Sequence, residues 1–283
     1  MKKFFKFVRL VGYLIALSLI FYPTISNYIN QLHSTSIASD YKQKVSNLSK
    51  KQEQKMIEKA RAYNRNLVGI GSLSDPFSNG GNQTEDDVYE QLLNIDGTGM
   101  MGYIEIPKIK ILLPIYHGTS ERVLQSGVGH LEHTSLPVGG KSTHAVLSGH
   151  RGLANAKIFT DLNKMEKGDV FYIKVLTRTF AYQVDQILTV EPTETKALEI
   201  EEGKDYVTLV TCTPYGINTH RLLVRGRRIP YEEAKKVSDE MGLKAQIPFE
   251  IKLLIIGLLV VIIICILMKL HSKKKERVYE KKE

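Results

Sequence analysis

The sequence predicts a mainly β domain, a barrel or sandwich with short helical insertions, carried on one or two transmembrane helices. Three observations lead there. Between Gly102 and Val224, short runs of β-branched and apolar residues recur, separated by Gly, Pro and Asn turn signals. From Ile251 to Leu270 the chain is almost wholly apolar. The excess of basic residues gathers at the two ends and leaves the middle close to neutral.

At the N-terminus, Lys2, Lys3, Lys6 and Arg9 precede the apolar stretch Leu10 to Tyr22. That length suits a signal-peptide core or a short anchor. No small-x-small cleavage site follows closely, so it reads as an uncleaved signal anchor. Residues 33–67 place Tyr41, Val45, Leu48, Met56, Ala60 and Tyr63 at roughly helical spacing, which predicts one or two amphipathic helices. Gly69 to Asp87, rich in Gly, Ser and Asn, is longer than an ordinary connection. Strands are expected at 103–107, 111–116, 143–148, 170–176, 180–190, 206–212 and 220–224, with helical patches at 120–125 and 156–164. Ile251–Leu270 as a helix would extend roughly 30 Å, the thickness of a bilayer's hydrocarbon core. Lys252 and Lys269 lie near its ends, where their long side chains can reach the interface.

The formal net charge is +9, from 39 basic and 30 acidic residues. The first nine residues carry four of the positive charges, and the tail from Lys269 to Glu283 holds seven basic against three acidic residues. Basicity of this kind flanks apolar spans and forms no stripe on a domain, which argues against a nucleic-acid partner. It also puts both termini in the cytoplasm and residues from about 30 to 248 outside. No repeat, P-loop or dinucleotide fingerprint is present.

The chain has two cysteines, Cys265 inside the apolar run and Cys212 alone outside it, so there is no disulfide framework. Tyr206-Val-Thr-Leu-Val-Thr-Cys212 reads as a buried strand that delivers a thiol at its exit, before the turn Thr213-Pro-Tyr-Gly216. Such a thiol is either a nucleophile or a small buried hydrophobe. A nucleophile needs a base or a cationic setting, since an unperturbed thiol is only a few per cent ionised at neutral pH. Among eight histidines His150 is the best placed, because Thr143 to Ser148 reads as a strand that ends at Gly149-His150. His144, at the strand's other end, reads as structural. His130 and His133 have i,i+3 spacing on a glycine-containing loop but no strong third ligand, so no metal is assigned. Arg221 cannot act as a base, because guanidinium stays protonated. It is either a donor to a developing oxyanion or to substrate carbonyls, or a surface arginine beside Arg225, Arg227 and Arg228. Papain-type and caspase-type signatures are absent.

Val207-Thr-Leu-Val-Thr-Cys212 with Arg221, preceded by Leu147-Ser-Gly-His-Arg-Gly-Leu153, resembles the signature of sortases, the membrane-anchored cysteine transpeptidases of Gram-positive bacteria. The likeness runs from about Gly102 to Pro230 and implies a closed sortase-type β-barrel. It implies Cys212 as nucleophile, His150 as acid/base partner and Arg221 as oxyanion or substrate stabiliser, with no cofactor. Gly127-Val-Gly-His130 through Ser135-Leu-Pro-Val-Gly-Gly140, and the C-terminal span with its basic tail, resemble class C, the pilus type. Ser74-Asp-Pro-Phe77 matches that class's lid motif: Asp75 would pair with Arg221, Pro76 would follow it in the motif, and the Phe77 ring would cover Cys212. Flanking glycines at 69, 71, 80 and 81 suit a movable cover.

The organisation that follows is a basic end and anchor at 1–30, a helical segment at 31–68 and a lid loop with connector at 69–100. The catalytic barrel occupies 101–248, a transmembrane helix 249–271 and a basic tail 272–283. The resemblance implies cleavage of an LPxTG-like sorting signal on pilin subunits through a thioester, then transfer to a lysine amine of the next pilin, at the membrane lipid surface. A neutral thiol–imidazole pair and a thiolate–imidazolium pair both fit. The alternatives are a sortase that anchors surface proteins to peptidoglycan, and a non-enzymatic membrane-tethered β-domain.

Overall fold

The computed structural model describes residues 2–67, 75–77, 87–153, 155–240 and 257. The expected C-terminal span and tail thus lie outside the described residues, save Gly257, as does most of the glycine-rich loop. The chain divides into two compact units, residues 1–25 with 244–283, and residues 26–243. In the first unit the described residues other than Gly257 belong to helix α1 (Lys2–Ser46), where Phe4, Phe5, Ile15, Leu19 and Ile20 are exposed. Among the described residues α1 is the one helix long and apolar enough to cross a membrane, over the stretch Val11–Ser46. It continues through Pro23, so the separate anchor and amphipathic helix expected before residue 46 are one element.

In the second unit, α1 turns Ala38, Tyr41 and Val45 into the core. The Tyr41 hydroxyl donates to Met101 O at 2.8 Å and accepts from Leu176 N at 2.9 Å, which satisfies a buried polar group on two separate segments. Helix α2 (Lys50–Asn66) starts at a capping box. Ser49 accepts from Gln52 N, and the Gln52 side chain returns the bond to Ser49 N. Its buried Asn64 bonds Leu136 N and O at 2.7 and 3.0 Å, fastening the helix to the barrel. Helix α3 (Asp87–Gln91) follows.

The strands are β1 (Met100–Ile106), β2 (Ile111–His117), β3 (Val128–His130), β4 (Thr143–Ser148), β5 (Val170–Val175), β6 (Arg178–Val190), β7 (Asp205–Thr213) and β8 (His220–Ile229). They close into a barrel in the order β1-β2-β3-β4-β7-β8-β6-β5. Pairs β2/β3 and β4/β7 are parallel and the others antiparallel. Closure removes the exposed edges that an open sheet would carry. Helix α4 (Glu121–Ser126) joins β2 to β3, and α5 (Tyr231–Glu240) follows β8 and buries Ala234 beside Val170 and Tyr172.

Strand periodicity sorts the side chains. Ala145, Leu147, Val207, Leu209, Leu222 and Val224 face the main core. Their neighbours Val146, Val210 and Leu223 form a second, smaller cluster on the opposite face with Leu131 and Leu198, and Phe77 packs against it.

Three local expectations are corrected. The helix expected at 156–164 is a loop ending in a single 3-10 turn at Leu162–Lys164, because Ile158 and Phe159 pack beneath Gly149 instead of continuing a helical stripe. Strand β8 runs on to Ile229, five residues past the expected end, since β6 pairs with it throughout. Strand β3 and helix α5 were not expected at all.

Candidate active site

Cys212 stands near the end of β7 and is only 8% exposed. Directly opposite it, on β8, is Arg221. Opposed residues of an antiparallel pair point to one face, here the face of Val210 and Leu223, outside the main core. On the other side of β7, parallel β4 ends with Ser148 level with Val210. Carried two residues further, that register brings His150 level with Cys212. The continuation is held by backbone: Gly149 N donates to Val210 O at 3.0 Å, and the Thr211 hydroxyl donates to Gly149 O at 2.7 Å. Phe159 N then donates to His150 O at 2.9 Å. Residue 149 has to be glycine, since a Cβ there would lie 2.7 Å from a Phe159 ring carbon. Three strands adjacent in the barrel thus bring Cys212, His150 and Arg221 to one end of one face.

Asp75, Pro76 and Phe77 lie across that face. Asp75 takes the guanidinium fork of Arg221 in both hands: Nε donates to Oδ1 at 2.8 Å and Nη2 to Oδ2 at 2.6 Å. Arg221 Nη1 donates to the carbonyls of Asn218 and His220 at 3.0 and 3.1 Å. A two-point, charge-assisted pair of this kind is among the stronger polar contacts a protein makes. The Phe77 ring sits 5.8 Å from the His150 ring and 5.2 Å from Arg221 Cζ, so it fills the space between those two side chains. Phe77 N also reaches the Asp75 carboxylate at 3.4 Å, which closes the short turn around Pro76.

The electrostatics follow from this packing. Burial pushes the Cys212 thiol above its ordinary pKa; Arg221 pulls it down, and Asp75 pushes it up again. The Asp75 carboxylate thus opposes the effect of Arg221 on the thiol. The Asp75 contact in turn raises the Arg221 pKa further.

The remaining histidines sort by environment. His144 is buried, its Nδ1 facing Glu199 O at 2.8 Å and its Nε2 the Thr208 hydroxyl at 2.7 Å. Burial pushes its pKa down to about 4. His130 is buried with Nδ1 at the Tyr89 hydroxyl and Nε2 at Ser135 O, both 2.9 Å away. Its two nitrogens are occupied, and burial pushes it down to about 3. His133 sits in a turn at φ 64°. Arg225 pairs with Asp185 and Glu201 and covers the Tyr206 ring, away from Cys212's end of the strand.

One neighbour of the site had no signal in the sequence. Glu121 Oε2, on α4, lies 3.3 Å from His150 Nε2. The two residues are 29 positions apart, and only the parallel β2/β3 crossover brings α4 beside the end of β4.

Comparison with known proteins agrees with this architecture. A family model described as the sortase domain matches residues 104–229. Sortase D of Bacillus subtilis (strain 168) is 31% identical over 131 residues, covering 45% of this chain and 63% of that protein. Sortase A of Bacillus anthracis is 30% identical over 133 residues, 47% of this chain and 61% of that protein. The chain therefore spans about three fifths of the length of these curated relatives. Among solved structures, sortase C1 from Streptococcus agalactiae is 49% identical, with a TM-score of 0.63 over 69% of this chain and 98% of that one. Sortase C of Streptococcus pneumoniae, whose structure is described as informing catalysis and pilin substrate specificity, is 45% identical. Its TM-score is 0.62 over 69% of this chain and 97% of that one. With that coverage and identity, and the closed barrel they share, the chain belongs to the sortase family and, within it, to class C.

Proposed function

We propose that this chain is a membrane-anchored cysteine transpeptidase that builds covalent pili. It would cleave an LPxTG-like sorting signal of a pilin subunit and join the new carboxyl end to a lysine amine of the next pilin. The observation that carries this reading is the convergence of Cys212, His150 and Arg221 on one face from three neighbouring strands. The class C likeness, and the pilin named in the description of the pneumococcal relative, supply the substrate class.

The steps balance as follows. His150 takes the Cys212 proton, and the thiolate sulfur attacks the Thr carbonyl carbon of the Thr–Gly bond. The carbonyl oxygen becomes an oxyanion, which a guanidinium N–H of Arg221 can stabilise. The C–N bond breaks as imidazolium gives its proton to the leaving amine, leaving a thioester. A lysine amine then attacks that thioester and gives its proton to His150, and the sulfur leaves, recovering that proton from the imidazolium. Arg221 can serve the oxyanion fully only when Asp75 releases its fork, so Asp75, Pro76 and Phe77 act as a lid on the resting site. In this reading both termini are cytoplasmic, residues 249–271 form a second span, and the barrel is outside the cell.

The test uses the full chain in detergent with purified pilin. Covalent ladders on a denaturing gel are expected from the wild type and none from Cys212→Ala, while Arg221→Ala loses most of the rate. Ladders from Cys212→Ala would sink the reading. Cleavage without ladders would point to a sortase that anchors or hydrolyses instead.

A further inference from the structure

In the scheme above His150 takes up and gives back a proton twice in each turnover, and an imidazole does so efficiently only if one nitrogen is committed and the other presented. The committed side is visible. Glu121 Oε2 faces His150 Nε2 at 3.3 Å, and the other carboxylate oxygen accepts from Gln125 Nε2 at 2.8 Å, one helical turn along α4. The helix is fixed from beneath by Leu124, which is 2% exposed and belongs to the barrel side of α4. Gly129 of β3 comes so close that a Cβ there would meet the side chains of Leu124 and Val123. The Gln125 bond, with His150 adding to it, holds the Glu121 carboxyl below the usual carboxylate range. Glu121 itself is 67% exposed. An exposed pair of this kind adds little to stability, so its worth would lie in orientation.

We propose that Glu121 is a positioning residue for His150: its carboxylate accepts the Nε2–H, so that Nδ1 is the nitrogen that takes and returns the proton. This rests on the transpeptidase reading. In each turnover Nδ1 accepts the Cys212 proton, passes it to the leaving amine, then accepts the proton of the attacking lysine and returns it to the departing Cys212 sulfur. Nε2–H stays on Glu121 throughout, which turns the ring and stabilises the imidazolium whenever it forms, as the orienting carboxylate does in serine-protease triads. The Phe77 ring lies beside the imidazole, with ring centroids 5.8 Å apart.

Two measurements on the full chain in detergent decide it. Turnover of a sorting-signal peptide with an amine acceptor is compared for wild type, Glu121→Ala and Glu121→Gln. Both variants are expected to lose about tenfold in kcat, the lower end for an orienting partner, with KM within about twofold, since Glu121 is not assigned to substrate binding. Nitrogen-15 spectra of histidine-labelled resting chain, with His150 identified by its loss in His150→Gln, read the tautomer. Wild type is expected to show Nε2 protonated. Glu121→Gln can turn its NH2 toward Nε2 and is expected to shift the ring toward the Nδ1–H form. A kcat within twofold of wild type in both variants, or a tautomer unchanged in both, overturns the proposal. Failure of the transpeptidase reading would register separately, as turnover that survives Cys212→Ala, because the tautomer is read without turnover.

Discussion

At the scale of single residues, the Cys212 thiol stands under opposing influences. Burial disfavours the thiolate, Arg221 favours it, and Asp75 cancels part of that help through two short bonds. The sign of a lid mutation follows. Asp75→Asn keeps the shape but removes the negative charge, so the field of Arg221 reaches the thiol less opposed and the thiolate forms at lower pH. Labelling of Cys212 by iodoacetamide, followed against pH, is expected to show its midpoint moved to lower pH in Asp75→Asn. Arg221→Ala is expected to move it the other way. Phe77→Ala removes cover without a charge change, so its labelling is expected to be faster at every pH with little movement of the midpoint. Kinetics unchanged in both Asp75→Asn and Phe77→Ala would remove the lid from the account. Part of this was legible in the sequence: strand-end positions singled out Cys212 and His150, and the resemblance carried the pairing of Asp75 with Arg221. Glu121 was not legible, because its neighbour is set by a crossover and no local spacing reports on it.

At the scale of elements, the site depends on how β4 leaves the barrel. The strands that the sequence showed best are the long, strongly apolar ones, and Thr143–Ser148 has the same limits in both readings. Strand β3 has no sequence signature, because three residues carry no measurable alternation, and it exists only by pairing with β2 and β4. The 156–164 segment differs for the opposite reason. Its apolar residues have a helical look, yet Phe159 is spent on the underside of Gly149. The Gly149–Phe159 contact gives an element-level prediction. Gly149→Ala inserts a methyl carbon 2.7 Å from Phe159 Cδ2 and 2.9 Å from Ile158 Cγ2. Either the loop retreats or β4 bends, at a cost of about 1–3 kcal/mol. For a domain of this size that corresponds to a melting point lower by a few degrees per kcal/mol. Activity is expected to fall further than stability, because the displaced backbone is the one that carries His150. A variant with a lowered melting point and unchanged turnover at a temperature where it is folded would show that His150 is positioned independently of this contact.

At the scale of the whole molecule, the proposed transpeptidation requires the barrel to lie on the side of the membrane that holds its substrate. Charge is the argument: four basic residues precede the first apolar stretch, and a net positive tail follows the second. Helix α1, at 45 residues, is about twice as long as a span requires, and its later turns bury Ala38, Tyr41 and Val45 in the barrel unit. The orientation can be read with the site's own thiol. In intact cells that carry the Asp75→Ala chain, a membrane-impermeant maleimide is expected to label the protein, and Cys212→Ala in the same background is expected to abolish that labelling. The only other cysteine, Cys265, lies in the apolar run at 251–270 and is expected to stay unlabelled there. Labelling that appears only after the cells are permeabilised would put the barrel in the cytoplasm. A sortase barrel so placed would have no access to secreted pilins, and the assignment of substrate would fall even if the cysteine chemistry held.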